Sequence, residues 1–164
     1  MPKRKIIVFV AIGILMGLSV IGVTQLVKRS LWESLEVRVA WLIVTRYCPN
    51  CDLQGVHLPR ANLQNANLQN AKLNGTNLSE ANLQGANLTQ VSLQYADLSL
   101  TNLADANLSG ANLETADLVG AVLSKANLQN ASLKQTSLRF ADLDAADLTG
   151  ATLLQADLDG VSGL

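Results

Sequence analysis

"ANLQNANLQNAKLNGTNLSEANLQGANL", residues 61–88, returns a leucine at every fifth position with a small residue two places before each one. The pattern runs well beyond this stretch. Leucine holds position 53 and every fifth position through Leu158, twenty-two times without a substitution. A coiled coil requires a hydrophobic repeat of about 3.5 residues and a free α-helix about 3.6, so a period of five would smear the leucines around the axis. A β-strand alternates faces every second residue, so an odd period would place successive leucines on opposite faces. A corner must therefore interrupt every unit. Asn74-Gly75, Gln84-Gly85, Ser109-Gly110, Thr149-Gly150 and Asp159-Gly160 supply turn-forming dipeptides. Units this short bury nothing alone, so they must stack, each covering the next.

Ala61-Asn62-Leu63-Gln64-Asn65 and its successors resemble the A-(D/N)-L-x-x units of the pentapeptide-repeat family, over residues 51–161. The resemblance implies an all-β solenoid: a right-handed, four-sided β-helix with four units, or twenty residues, in each coil. It also implies that each central leucine and the small residue two before it point inward. Twenty-two leucines then make about 5.5 coils, a rod about 26 Å tall at the spacing of a β-ladder. Leu53, Leu58, Leu63, Leu68, Leu103, Ala106 and Leu158 are core positions on this reading, because alternating Leu and Ala fill a bore in which larger side chains would overpack. Asn62, Asn67, Asn82, Asn87, Asn102 and Asn107 each precede a leucine and are expected to bond to nearby backbone or to stack in ladders between coils. The Asn-Leu-Ser/Thr triplets at Asn77, Asn87 and Asn107 match a glycosylation sequon that the repeat generates unaided.

The chain ahead of the repeats has a different character. Residues 1–50 hold seven Lys or Arg against Glu33 and Glu36, and residues 51–164 hold five against eleven acidic residues, formal charges of +5 and -6. Only the first part has the sign expected near anionic lipid. Lys3, Arg4 and Lys5 precede a run from Ile6 to Val27 with no charged residue. Twenty-two helical residues would extend about 33 Å. Residues 1–29 thus read as a basic segment and single-pass transmembrane anchor, with the lipid bilayer as a partner through residues 6–27. A cleaved signal sequence is the alternative, disfavoured by the length of the run and by the lack of an A-x-A site. The basic side chains lean the topology toward an inside N-terminus and repeats on the extracytoplasmic or lumenal side, although Lys28, Arg29, Arg38 and Arg46 oppose it.

Residues 30–47 predict a short helix. Ser30 and Glu33 have capping-box spacing, and Leu31, Leu35, Val39 and Leu42, with Trp32 and Trp41, form an apolar stripe to about Val44. The helix caps the first coil or lies on a membrane surface, and the two roles are compatible. Residues 48–164 form the solenoid. Cys48-Pro49-Asn50-Cys51 opens it. In the repeat register Cys48 takes a leucine slot and Cys51 a small-residue slot, which favours buried thiols as structural core. A disulfide is the second reading, and metal or redox chemistry the third, since no second ligand pair follows. The C-P-x-C element is similar to that of membrane-associated members of the family, of bacterial or cyanobacterial type, and implies a structural role.

Candidate chemistry is sparse. His57, the single histidine, occupies an outward position with no Ser, Asp or Cys at an interpretable spacing. The acidic residues, mainly late in the chain, build no concave site. The chain therefore reads as non-enzymatic, with neither cofactor nor metal. Five scattered basic residues in the array argue against nucleic acid as a partner. Residues twenty apart share a column, so Leu100 and Phe140 stack with Gly120 between them, Val119 lies beside that gap, and Tyr95 is one face back. Among Gln, Asn, Ser, Thr and Gly, these residues form a candidate docking stripe for another protein or a second copy. Leu153, Leu154 and Val161 leave the C-terminal coil in need of cover, and family resemblance implies an end-to-end homodimer there. The leading reading is a membrane-tethered scaffold for protein association. The alternative is a soluble acidic protein, released by signal removal, that mimics DNA in the way of relatives that protect topoisomerases.

Overall fold

In the computed structural model, which describes residues 34–164, a single short helix caps a stack of square coils. The helix runs Leu35–Thr45. Ser34 is its N-cap, its Oγ accepting the Val37 N–H at 3.3 Å and so satisfying one of the donors a helix start leaves over. The Ser30–Glu33 pair, with its capping-box spacing, lies outside the described residues. Arg46 ends it in the left-handed conformation, with its N–H bonded to the Leu42 carbonyl at 2.8 Å.

From Tyr47 onward, twenty isolated parallel bridges join residues that are always twenty apart, from Tyr47–Asn67 to Asp142–Ser162. One coil is thus twenty residues, and each side contributes a bridge instead of a long strand. Leu63 shows the unit. Its N–H donates to Asn82 O in the next coil at 2.7 Å, the Asn82 N–H returns to Ala61 O at 2.9 Å, and the Ala66 N–H closes the corner on Leu63 O at 3.0 Å. These bonds satisfy backbone polar groups that stacking takes out of water. The fifth residue of each unit adopts positive φ, as in Asn65 at 57° and Gly85 at 65°. That conformation is least costly for Gly and Asn, yet Leu100, Tyr95 and Phe140 also hold it.

The bore contains the leucine row and the small residues. Leu53, Leu63, Leu68 and Leu103 are fully buried, and Leu58, Ala106 and Cys48 nearly so. Thr76, Thr101 and Thr136 occupy small-residue slots without an orphaned hydroxyl, each donating to a leucine carbonyl at 2.7–2.9 Å. Leu158 departs from the expected core: it is 37% exposed. It sits in the last described coil, with no described coil stacked on its far side.

Cys48 and Cys51 are also corrected. They are joined in a disulfide, with Cα atoms 5.4 Å apart. Cys48 is buried and Cys51 half-buried. The cause is the repeat's own corner. The turn that bonds Ala66 N–H to Leu63 O brings Cys51 N–H to Cys48 O at 3.4 Å, so adjacent leucine and small-residue slots fall within disulfide reach. Among the described residues no helix is long and apolar enough to cross a membrane. The run Ile6–Val27 lies outside them.

Candidate interaction surface

Outside the bore the rod is mostly amide and hydroxyl. Where an asparagine precedes a leucine, its Oδ1 accepts the N–H two residues on, as Asn62 does from Gln64 at 3.2 Å and Asn102 from Ala104 at 3.0 Å. Some also bond along the axis, Asn77 Nδ2 to Asp97 Oδ2 at 3.0 Å and Asn87 Nδ2 to Asn67 Oδ1 at 3.5 Å. Ladder bonds and turn bonds together occupy these side chains structurally.

Against this background the column through residues 60, 80, 100, 120, 140 and 160 stands out. It opens with an ion pair, Arg60 Nε to Glu80 Oε2 at 2.8 Å and Nη2 to Oε1 at 2.9 Å. The Arg60 hydrogen bond holds the Glu80 carboxyl below its ordinary pKa. Next come Leu100 over Gly120 and Phe140 over Gly160. A Cβ added at Gly120 would meet Leu100 Cδ2 at 2.8 Å, and one at Gly160 would meet the Phe140 ring. Each large side chain therefore lies down in the notch left by the glycine of the following coil. The same pairing seats Asn65 on Gly85, Gln90 on Gly110 and Asn130 on Gly150.

Seating does not hide the apolar groups. Tyr95, Leu100 and Phe140 are 71%, 63% and 59% exposed. Arg139 lies over the Phe140 ring at 5.3 Å from its centroid, and its guanidinium also faces Asp159 at 3.5 Å and Asp157 at 3.8 Å. Val119 is half-buried and accepts the Leu100 N–H at 2.9 Å. The structure thus brings Leu100, Val119 and Phe140 onto one ladder, while Tyr95 stands on the preceding corner. Sequence reading missed Arg139, Asp157 and Asp159 as part of this surface. The readable signal is the spacing of twenty between a bulky residue and a glycine, together with acids eighteen and twenty residues after Arg139.

A concavity of about 400 Å³ lies at the helix end of the rod, lined by Arg38, Trp41, Tyr47, the two cysteines and Asp52 among others. Arg38 Nε is buried there without a hydrogen-bond partner. His57 is exposed in the first coil, away from this lining. Among the described residues no three His, Cys, Asp or Glu side chains converge as a metal site. Asp147 is held below its ordinary pKa by hydrogen bonds from Thr149, with a further bond from Gln129. It belongs to the Asx-turn pattern, its Oδ1 accepting Thr149 N–H at 2.9 Å.

Comparison with known proteins agrees with this geometry. The family model described as "Pentapeptide repeat region" matches residues 48–118, and "Pentapeptide repeats (8 copies)" matches 101–139, 116–153 and 126–162. Among solved structures, the chain is similar to HetL, a pentapeptide repeat protein involved in heterocyst differentiation regulation from the cyanobacterium Nostoc sp. strain PCC 7120. Identity is 36% over 72% of this chain and 65% of that one, with a TM-score of 0.55. Slightly less than two thirds of HetL is therefore spanned. Rfr23 from the cyanobacterium Cyanothece 51142 is 30% identical over 76% of this chain and 95% of its own, with a TM-score of 0.48. A further pentapeptide repeat protein of Nostoc PCC 7120 is 37% identical over 67% of this chain and 82% of its own, with a TM-score of 0.44. Among curated proteins nothing matches.

Proposed function

The chain belongs to the pentapeptide-repeat family, whose members build right-handed β-helices, and from that premise we propose that it is a non-enzymatic, membrane-tethered scaffold for protein association. The observation that carries the association reading is the Leu100–Phe140 column. Its apolar groups are exposed, yet they are fixed on a hydrogen-bonded ladder, and Arg139 braces the Phe140 ring. Such groups lose little further freedom when a partner covers them, so more of the burial energy appears as affinity. HetL's involvement in regulating differentiation is consistent with a family member that acts by binding.

Tethering rests on the uncharged run Ile6–Val27, long enough to span a bilayer. With it goes the extracytoplasmic or lumenal placement of the repeats, which the N-terminal basic cluster supports. A DNA-mimicking role fits poorly. Arg60 pairs with Glu80 and Arg139 faces Asp157 and Asp159, so part of the acidity is answered locally.

The test is quantitative affinity capture from detergent-solubilised membranes of the native host, comparing the parent with Leu100→Ser/Phe140→Ser and with Gln94→Ser on another column. A protein enriched with the parent and with Gln94→Ser, and lost with the double variant, is the expected outcome. Equal recovery by all three would refute the column as the docking surface. Release of the full chain from membranes by carbonate washing would refute the tether.

A further inference from the structure

The cap helix is apolar on two sides, whereas a cap needs only one. Leu42 is fully buried and Val39 packs against the core, which accounts for the side facing the first coil. On the side turned away, Val44 is 54% exposed and Ile43 beside it 49%, and Tyr47 is exposed just beyond the helix end. Glu36 is the acidic residue of this short helix. Helices that are apolar all round normally have a second apolar surface to meet.

We propose that this outward face is seated on the lipid bilayer, so that the cap helix lies between membrane and first coil and the rod stands upright. The inference rests on the tether reading and adds to it where the protein touches lipid and how it is oriented. Chain length favours this occupant. The uncharged run ends at Val27, and only residues 28–34 separate it from the helix. Seven residues reach at most about 25 Å even when fully extended. The tether therefore holds the helix at high local concentration next to the bilayer surface.

Charge points the same way. Between residues 28 and 47 stand Lys28, Arg29 and Arg46 against Glu33 and Glu36, with Arg38 set into the concavity at the first coil, whereas the array beyond is acidic. Basic groups near an apolar helix face, with a tyrosine at its edge, match the interfacial zone of a bilayer, where long cationic side chains reach the headgroups. A cap resting on lipid also places the coil axis away from the membrane. The Leu100–Phe140 column then runs along the membrane normal, open to partners on the side of the rod, and the C-terminal coil is the most distant part.

The experiment uses the full chain reconstituted into vesicles of mixed zwitterionic and anionic phospholipid. An environment-sensitive dye is attached at Val44→Cys, or at Leu100→Cys as a control, with the native disulfide left oxidised. Flotation with the vesicles reports the tether independently of either dye. The expected result is flotation of both labelled proteins, with the Val44 dye blue-shifted, shielded from aqueous iodide and quenched by brominated acyl chains. The Leu100 dye should remain open to iodide and insensitive to bromine. Flotation with a Val44 dye as open to iodide as the Leu100 dye overturns the inference and leaves the tether standing. A Val44 dye shielded from iodide but untouched by brominated lipid also overturns it, because a second copy or another protein segment then covers the face. Failure to float refutes the tether, and the inference falls with it. Because Val44 and Leu100 are both exposed, matching circular dichroism of the labelled and parent chains checks that neither label disturbs the fold.

Discussion

Leu103 and Leu158 occupy the same place in the repeat, and only their burial differs, 0% against 37% exposed. Truncating each to alanine removes the same atoms, so the comparison isolates what stacking contributes. For Leu103 the lost transfer energy is about 0.8 kcal/mol for each of three carbons, or about 2.4 kcal/mol. A cavity cost adds to it, because Leu83 and Leu123 lie one coil to either side, both buried, and the ladder bond from Leu103 N–H to Val122 O at 2.7 Å keeps the coils from closing on the gap. The expected loss is about 3–5 kcal/mol. For Leu158 roughly a third of the contact is already absent and its uncovered side leaves no closed cavity, so the expected loss is about 1–1.5 kcal/mol. Urea unfolding of the full chain in mild detergent, followed by circular dichroism, measures both, provided the slope with denaturant is unchanged. Equal losses would refute the reasoning. They would mean either that the last coil is covered in solution or that the row of leucines does not share one graded core.

Gly120→Ala is expected to cost about 1–2 kcal/mol, since φ is +65° and the new Cβ would displace Leu100. Part of that cost should vanish in the background of Leu100→Ala, and a double-mutant cycle with no coupling would contradict the seating of Leu100 on the glycine notch. Thiol trapping under denaturing, non-reducing conditions should leave Cys48 and Cys51 unmodified, and reduction should lower stability by about 2 kcal/mol for so short a loop. Free thiols in the purified oxidised protein would contradict the disulfide. Glu80 and Asp147 have folded pKa values below their ordinary ones, so their contribution is present above the usual carboxylate range and is lost as pH falls through the lowered values. The melting temperature should therefore hold steady near neutrality and drop in acid, with a smaller acid drop in Glu80→Gln. An acid dependence identical to the parent's would remove Glu80 from the account.

The sequence alone determined the architecture, because a strict five-residue period is incompatible with a continuous helix or strand and leaves only short stacked units with a corner in each. The inward row was legible through the resemblance of these units to the pentapeptide-repeat family, which implies that each leucine and the small residue two before it face the bore. Even the outward asparagines were readable, since Asn before a leucine and a turn has a backbone N–H within reach of its Oδ1. The candidate surface was legible only in part. Leu100, Val119 and Phe140 could be assigned to a column once residues twenty apart were stacked, but periodicity says nothing about which way a side chain lies. Tertiary structure decided that Leu100 and Phe140 fold over Gly120 and Gly160, and that Arg139 braces the ring while facing Asp157 and Asp159. These are distances between coils, set by stacking and not by neighbours in the chain. The two cysteines illustrate the same division. Register placed both at the entrance of the bore, but bonding depended on the 5.4 Å separation that the corner imposes. Leu158 illustrates it at the other end: its slot is identical to every other leucine's, and its exposure follows from its place in the last described coil, a property of the stack and not of the repeat.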